Sequence, residues 1–444
     1  MDDTGDWRSA LAGDPEVVVD RDVTVTLDGA AAVKIGASVE GVQTKAAMSS
    51  ADMVQDAGDG LWYYSVYAFD PVAAPVYVQP MEGVTKGTFK ASTQHRLTAP
   101  GAVYDVVHPL GDGIPADPTH VVTAAEVKRM ARIDQTFAAF DGDTGRSMSE
   151  KRYGMSPEGV LTFEASGPVE PGTSRTDYVS AGTGQLWMSE GFVQIGEDEW
   201  ADQGHFAELK PGERIAYRWG RQPMRPGPYS GTGITPSSCA RYPTARTGDN
   251  MRIALVDLQT RPDGFDCGLH EVKGHMALFA GDEKVGEKNG PFGDFTVPSG
   301  PAEYRLTYEN DASAILPVST RTSTSWTFRS RQPRGHKSES LPLLLVDYDL
   351  NLDPRNQPAG EPAVFTVARM AGSGGAKVTG LKFWTSVDDG TTWWAVQVKD
   401  LGGGRFSAPL PASVKGQAVS LRVSAQDGDG GGIDQHIVRA YRVR

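Results

Sequence analysis

Apolar and polar residues alternate along much of the chain. Glu16–Gly29 is one example, where Val23, Val25 and Leu27 fall on one face of an extended backbone with threonines between them. A period of two residues predicts a strand with one buried face. Leu61–Phe69 carries aromatic side chains on both faces, which predicts a central strand of a sandwich.

The rest of the first half predicts further strands, one helix and one irregular segment. The helix is expected over Ala124–Ala139, where apolar residues form a rough stripe. Proline, glycine and aspartate interrupt Val103–His120 so often that no regular element is expected there. Strands are predicted at Ala32–Val42, Val76–Val78, Thr88–Ala91, Val160–Phe163, Asp177–Val179, Leu186–Ser189, Phe192–Ile195 and Ile215–Trp219.

Two stretches with biased composition divide the chain. Pro223–Thr247 is rich in proline, glycine and serine, and Arg331–Ser340 is polar and basic. Such stretches are typical of junctions and linkers. With 444 residues and about 150 residues per domain, we predict three units. They are an N-terminal β-rich unit at 1–245, with room for two sub-units, a β-sandwich at 246–340 and an immunoglobulin-like sandwich at 341–444.

The predicted fold class is all-β. It consists of tandem antiparallel β-sandwich domains of the immunoglobulin or fibronectin type, with at most one or two short helices. The middle unit has predicted strands at Met251–Val256, His275–Ala280, Asp294–Val297, Glu303–Tyr308 and Ser325–Arg329. The last unit has them at Leu343–Val346, Ala363–Arg369, Gly380–Ser386, Trp393–Val398, Arg405–Pro409, Val419–Ala425 and Ile437–Val443.

Composition and charge restrict the possible partners. The 52 glycines and 29 prolines favour turn-rich β structure. A net charge of −13 argues against nucleic acid and anionic membrane surfaces as partners. The sequence has no apolar run of about 18 residues, so no membrane span is expected. The N-terminus lacks the basic and apolar regions of a signal peptide, which predicts a cytoplasmic protein if the chain is a complete gene product.

One short motif predicts a specific turn. Ser386, Asp388, Gly390 and Trp393 have the spacing S-x-D-x-G-x-x-W of an Asp-box hairpin. Glycine supplies the positive φ of a tight turn, and the aspartate accepts backbone N–H bonds across it. The motif recurs on sialidase propellers, so a sialidase-type glycosidase is an alternative. The single copy counts against a propeller.

Acidic residues near the C-terminus offer a candidate calcium site. Asp427, Asp429 and Asp434 lie in a glycine-rich loop, and alternating carboxylates can wrap a hard cation. A plain hairpin is the simpler interpretation of the same loop. A second, poorer set of alternating carboxylates comprises Asp347, Asp349 and Asp353.

The two cysteines also allow two interpretations. Cys239 and Cys267 would close a loop of about 28 residues, and a disulfide there would contribute about 3 kcal/mol in an oxidising compartment. With His270 and His275 they could instead form a zinc site, although the spacing is loose. The disulfide or two free thiols are favoured over zinc.

Three tryptophans suggest a ligand surface. Trp384, Trp393 and Trp394 lie close in sequence, and successive strand residues face opposite sides. We therefore expect at least one of them in the core and another facing solvent. A solvent-facing tryptophan could stack on a sugar, so a stand-alone carbohydrate- or cell-wall-binding protein is a further alternative.

No catalytic residue is predicted. D-T-G occurs at Asp3–Gly5 and Asp141–Gly145, as around some catalytic aspartates, but a triad also needs an oriented histidine and a serine. The sequence contains no G-x-S-x-G elbow. Both D-T-G segments are therefore interpreted as polar turns.

Several motifs carry a family resemblance. They include R-D-V-T-V-T-L-D at Arg21–Asp28, T-S-R-T-D-Y at Thr173–Tyr178, L-K-P-G-E-R near Leu209, R-T-G-D-N-M-R at Arg246–Arg252 and S-T-S-W-T-F-R-S at Ser323–Ser330. The densest part runs from L-P-L-L-L-V-D-Y-D-L-N-L-D through S-V-D-D-G-T-T-W to the end. In these segments the chain resembles the non-catalytic C-terminal region of large actinobacterial subtilisin-like (S8 family) serine peptidases.

The resemblance implies an accessory region at an extracellular address. In those peptidases the catalytic domain precedes this region, and neither its H-G-T-H nor its G-T-S-M-A motif occurs here. The resemblance therefore implies no proteolytic residue in this chain. It implies that the chain braces a peptidase domain or binds a substrate or cell-surface polysaccharide.

Overall fold

Nearly all regular elements of the protein are strands. The computed structural model describes residues 8–139, 147–157, 159–182, 184–195, 198–228, 243–262, 271–335, 337–411 and 415–443. Within these ranges there are 34 strands, a four-residue helix and a short 3₁₀ turn. The strands form several mostly antiparallel sheets, which confirms the predicted all-β fold class.

The N-terminal part contains two main sheets that pack on each other. A seven-stranded sheet has the order β17-β10-β13-β8-β7-β4-β5, and the second sheet has the order β12-β11-β14-β15 with β16 beside β14. The strands are β1 (Ser9–Leu11), β2 (Val33–Lys34), β3 (Ala37–Val39), β4 (Lys45–Asp56), β5 (Leu61–Ala68), β6 (Val76–Val78), β7 (Thr88–Ala99), β8 (Ala102–Gly111), β9 (His120–Val122), β10 (Ala131–Phe137), β11 (Met148–Met155), β12 (Leu161–Val169), β13 (Thr173–Val179), β14 (Leu186–Ile195), β15 (Asp198–Gln203), β16 (Ala207–Glu208) and β17 (Arg214–Trp219).

The C-terminal part is built around an eight-stranded sheet of order β22-β21-β24-β25-β34-β33-β29-β30. Its strands, with those of the facing sheets, are β18 (Arg225–Pro228), β19 (Ala245–Thr247), β20 (Asn250–Gln259), β21 (Lys273–Ala280), β22 (Glu283–Asn289), β23 (Phe292–Thr296), β24 (Ala302–Asp311), β25 (Arg321–Ser330), β26 (Ser338–Ser340), β27 (Leu344–Asp349), β28 (Ala363–Arg369), β29 (Val378–Ser386), β30 (Trp394–Val396), β31 (Lys399–Gly402), β32 (Arg405–Ala408), β33 (Ala418–Asp427) and β34 (Gly432–Arg442).

The predicted boundary between 246–340 and 341–444 does not separate two cores. β25 lies before the boundary and β34 after it, yet they pair from Arg321↔Val438 to Thr327↔Gly432. One buried apolar cluster draws on both sides of the boundary. The indole N–H of Trp326 also donates to the carbonyl of Leu344 at 2.9 Å. These two predicted units therefore form one continuous sandwich.

The seven strands predicted for 341–444 all fall on observed strands, and β31 is an additional one. Alternation explains this success. In β33, for example, Leu421, Val423 and Ala425 are buried while Arg422 and Ser424 are less so. β28, β29 and β33 each show a buried face within a few residues, so no distant information was needed for them, whereas β30 and β31 have no buried residue.

Two strand predictions in the N-terminal part were wrong about how deeply the segment is buried. Leu61–Phe69 was expected in the centre of a sandwich, but β5 is the edge strand of its sheet. Glu16–Gly29 was expected to be half-buried, but it forms no strand among the described residues, and Val23 and Leu27 are 43% and 62% exposed. Alternation shows which residues share a face of a strand, whereas their burial depends on which other elements pack against that face.

The predicted helix and irregular segment were also wrong. Helix α1 spans only Ala124–Val127, and β10 follows, in which every second residue from Ala131 to Phe137 is buried. The apolar stripe was thus a strand pattern of period two. Likewise β8 occupies much of Val103–His120, because pairing with β7 stabilises it despite the proline near its end.

Candidate functional site: an aromatic groove and the predicted site residues

A groove opens where the two N-terminal sheets meet at their edges. Its cavity measures about 240 Å³ and lies between β5, the edge strand of the first sheet, and β12, the edge strand of the second. The lining residues are Met48, Ser50, Tyr63, Ser65, Tyr67, Phe69, Leu161, Thr162, Phe163 and Glu164.

Aromatic side chains line the β5 side of the groove. Tyr63 and Tyr67 lie on one face of the strand because side chains alternate, and Phe69 follows directly after the strand ends. Tyr67 is 60% exposed and Phe69 is 57% exposed, with ring centroids 5.4 Å apart in an edge-to-face arrangement. The groove therefore presents aromatic surface to solvent.

A buried carboxylate network fixes one of these aromatic rings. The Tyr63 hydroxyl donates a short hydrogen bond to the buried Asp52. Ser50 Oγ donates to Asp52 at 2.8 Å, and Gln94 Nε2 donates at 3.2 Å. Burial raises the pKa of Asp52, and burial beside Asp52 also raises the pKa of Tyr63. The network holds the Tyr63 ring in a defined orientation.

The polar groups of the groove are mostly hydroxyls. They belong to Ser50, Ser65, Thr162 and the tyrosines, and Glu164 supplies the one carboxylate among the lining residues. No lysine, arginine or histidine is among the described residues that line the groove. A hydroxyl both donates and accepts hydrogen bonds, so this surface suits a ligand that carries neutral polar groups on a flat apolar body.

Sequence reasoning missed this groove. The signal was present in L-W-Y-Y-S-V-Y-A-F, whose aromatic content is high on both faces. The pattern was interpreted as a buried central strand because aromatic residues are usually buried. Only the position of β5 at the sheet edge exposes them.

A second feature that the sequence did not reveal is an ion-pair network between the two N-terminal sheets, which we call the buried ion network. Arg96 on β7 forms two 2.8 Å hydrogen bonds to Asp105 on β8. Arg96 also contacts Glu150 of the second sheet at 2.9 Å. Its six charged members are Arg96, Asp105, Glu150, Arg152, Arg175 and Asp177.

The buried ion network is electrically balanced, with three arginines and three carboxylates. Arg152 crosses from the second sheet to bind Asp105 and Asp177 of the first, the latter at 2.8 Å. Burial alone would raise the pKa of Asp105, but Arg96 and Arg152 outweigh it and hold that pKa below its usual range. Because every charge is paired, we interpret the network as a clamp between sheets.

The Asp-box hairpin connects β29 and β30. Ser386 Oγ donates to Asp388 at 2.6 Å and accepts from the amide of Gly390 at 2.9 Å. Asp388 accepts from the amide of Thr392 at 2.9 Å. The hydrogen bond from Ser386, followed by that amide, lowers the pKa of Asp388. The polar groups of the motif therefore bond within the turn.

We expect substitutions in this hairpin to lower stability. Gly390 has φ +86°, and an added Cβ would lie 3.1 Å from the Trp393 ring. Gly390→Val should therefore cost about 1–3 kcal/mol in the free energy of unfolding. Asp388→Ala should lower the melting temperature because it removes the acceptor of the Thr392 amide. Thermal unfolding that is unchanged in both variants would contradict this role.

The expectation for the three tryptophans was partly wrong. None of Trp384, Trp393 and Trp394 is fully buried, so none is a core residue. Trp394 is 50% exposed, as expected for one of them. The Cζ atom of the Arg422 guanidinium lies 4.9 Å from the centroid of the Trp384 ring, and Trp393 packs against the ring of His436. Edge position explains the exposure of Trp394, since it lies on β30 and β30 ends its sheet.

The three carboxylates of the calcium candidate bind protein groups, and Asp434 has different partners from the other two. Asp427 accepts from the amides of Asp429 and Gly431 at 2.9 and 2.8 Å, and it pairs with Arg369. Asp429 also contacts Arg369, at 3.2 Å. Asp434 instead pairs with Arg422 and His436. Asp427 and Asp429 thus share one arginine as their cation. The described residues contain no group of three or more potential ligands arranged around a metal position.

The second acidic set joins the N-terminal and C-terminal parts. Asp347 pairs with Arg221, and Asp349 contacts Arg218 at 3.3 Å. Asp353 accepts from backbone amides of its own loop.

The predicted disulfide or zinc residues Cys239, Cys267 and His270 lie outside the described residues, as do the D-T-G segments at 3–5 and 141–145.

A buried histidine predicts sensitivity to acid. Burial, followed by the nearby His108 and His120, lowers the pKa of His95 to about 3. Its Nδ1 lies 2.9 Å from Ser49 Oγ. Between pH 6.5 and pH 3 the unfolded chain binds the extra proton more readily, so the stability contributed by neutral His95 is lost as pH falls through this window.

The test compares His95→Gln with wild type in urea unfolding from pH 7 to pH 4. The stability difference between the two should shrink as pH falls, because glutamine cannot take up a proton. Burial raises the pKa of Asp52, Asp202 and Asp257, so these carboxyl groups make the protein more stable as pH falls, which is the opposite pH dependence. Wild type and His95→Gln share this contribution, so it cancels in the difference between them. Parallel curves for wild type and His95→Gln would contradict the assignment.

Comparison with known proteins does not identify a relative. No protein-family model matches the chain, and no curated protein shows significant similarity to it. Among the described helices, none is long and apolar enough to cross a membrane. The fold and the site therefore define a class: an all-β protein of packed, mostly antiparallel sheets with an aromatic groove at one sheet edge.

Proposed function

We propose that this chain is the non-catalytic accessory region of a secreted subtilisin-like serine peptidase. In this role it holds a substrate or a cell-surface polymer for an attached peptidase domain. The observation that supports the proposal is the solvent-facing aromatic groove between β5 and β12. Exposed aromatic surface is costly to leave in water, and clusters of it commonly mark binding sites.

The rigidity of the surroundings also supports this function. The buried ion network joins the sheets whose edges form the groove, and the C-terminal part shares one core across β25 and β34. A binding surface on rigid elements keeps its geometry without a ligand, which reduces the entropy lost on binding. The same rigidity would suit a brace for a neighbouring domain.

A stand-alone carbohydrate- or cell-wall-binding protein is the second candidate. The hydroxyl-rich lining of the groove favours it, and the two candidates differ in whether a peptidase domain is attached. No feature within the described part of the chain favours the sialidase-type alternative, since the hairpin motif bonds within its own turn.

Two measurements test the proposal. Purified chain should be retained by at least one insoluble polymer in a panel of cell walls, polysaccharides and fibrous proteins, and it should not hydrolyse casein. Retention by none of them would overturn the binding role, and casein hydrolysis by this chain alone would overturn the non-catalytic assignment. A serine-peptidase domain with an H-G-T-H motif encoded upstream in the native gene would support the first candidate over the second.

A further inference from the structure

We propose that the groove binds the ring face of a neutral polysaccharide. The inference rests on the proposed function, because it names the ligand class of the same surface. It is argued from the aromatic rings, the hydroxyl groups, the charge and the dimensions of the groove.

The aromatic rings supply a stacking surface. Tyr67 and Phe69 together present two exposed rings that other described side chains leave uncovered. The C–H face of a pyranose ring is apolar and flat, so it can cover an aromatic ring and remove that ring from water. Tyr63 adds a third ring, which Asp52 holds in place from below.

The hydroxyl groups match the rim of a sugar. Ser65 lies at the exposed rim beside the rings, and its hydroxyl can donate and accept. Ser50 and Thr162 are buried and donate to Asp52 and to the carbonyl of Gly154, so towards a ligand they can only accept. A sugar ring carries hydroxyls around its edge with the same dual capacity. An apolar peptide side chain in the same position would displace water from the exposed hydroxyls of Ser65 and Tyr67 without replacing its hydrogen bonds, which weakens binding.

The charge of the groove selects against anionic polymers. Glu164 lines the groove, and no basic side chain is among the described residues that line it. The whole chain carries a net charge of −13. Uronate, phosphate or sulfate groups would therefore be repelled, whereas a neutral sugar can donate hydrogen bonds to the Glu164 carboxylate.

The dimensions favour a chain over a free monosaccharide. The cavity of about 240 Å³ is smaller than the roughly 300–1,000 Å³ of enclosed small-molecule sites. From Tyr63 to Phe69 the backbone extends about 20 Å at the usual rise per strand residue. A shallow, elongated surface of this kind contacts successive rings of a polymer without enclosing any of them.

The experiment measures retardation of the full chain in native gels that contain a soluble polymer. The neutral polymers are hydroxyethylcellulose, laminarin and xylan, the anionic polymer is polygalacturonate, and the protein polymer is denatured casein. We expect retardation by at least one neutral polysaccharide and none by polygalacturonate. The double variant Tyr67→Ala/Phe69→Ala should weaken binding at least tenfold. Trp394→Ala, which removes an equally exposed aromatic residue elsewhere, should bind like wild type.

A charge reversal provides a second test in a folded protein. Glu164 is exposed, so Glu164→Lys should unfold at the wild-type temperature. It should gain retardation by polygalacturonate while the stacking surface is unchanged. Failure to gain it, with neutral binding intact, would show that the polysaccharide does not contact Glu164 and would overturn the groove assignment.

The outcomes separate this inference from the proposed function. If casein or a cell-wall protein binds through Tyr67 and Phe69 but no glycan does, the ligand class is wrong and the accessory binding role survives. If no polymer binds, both fail. If glycan binding persists in the double variant, the protein binds sugar at another surface and the groove assignment is wrong.

Discussion

Replacing Arg152 by methionine is expected to lower the free energy of unfolding by about 3–5 kcal/mol. Arg152 is fully buried and contacts Asp105, Glu150 and Asp177. Without its charge, three buried carboxylates would share two arginines. The uncompensated charge has no water around it, and this desolvation makes the loss much larger than that of a surface pair.

Urea unfolding of purified Arg152→Met measures this effect, with Arg132→Met as the matched control. Arg132 also pairs with a neighbouring aspartate, Asp134 at 2.9 Å, but both side chains are well exposed. Loss of the Arg132–Asp134 pair should lower the free energy of unfolding by no more than about 1 kcal/mol. Equal destabilisation by the two substitutions would show that the buried ion network is not the clamp between the sheets.

Trp326→Ala should be comparably destabilising, at about 3–5 kcal/mol. The indole is fully buried in the large C-terminal core, and its N–H bonds to the carbonyl of Leu344 across the predicted domain boundary. Because β25 and β34 pair in one sheet, residues on both sides of that boundary should lose stability together.

Hydrogen exchange and thermal unfolding distinguish a shared core from two separate units. Amides on β24 and on β33 should both exchange faster in Trp326→Ala, although one strand precedes residue 340 and the other follows it. Trp394→Ala, at an exposed position, should stay within about 0.5 kcal/mol of wild type. Faster exchange confined to β24 would contradict the shared core.

The features of this fold that the sequence predicts correctly depend on residues that are close together in the chain. Gly390 needed only its own neighbours to indicate the hairpin, and β28, β29 and β33 each showed alternation within a few residues. The helix over Ala124–Ala139 failed for a related reason, because a short apolar run fits a period of two or of 3.6, and pairing of β10 with β13 and β17 decided between them.

The candidate site was not predictable in the same way. Tyr63 and Tyr67 carried an aromatic signal, but it indicated burial, and β12 comes from a distant part of the chain. The tryptophans on and next to β29 and β30 led to the carbohydrate hypothesis, yet Trp384 lies against Arg422 and Trp393 against His436. The groove depends on which strands end up at the sheet edges.

From alternation, turn residues and composition alone, the chain is an all-β protein with an Asp-box hairpin near its end. These features follow from backbone geometry and near neighbours, which a linear sequence displays directly. The tertiary structure alone decided that β5 is an edge strand and that Arg96 contacts Glu150, 54 residues away, in the buried interior. Strand order and charge burial depend on contacts between distant segments, and a pattern of period two is the same at the centre of a sheet and at its edge.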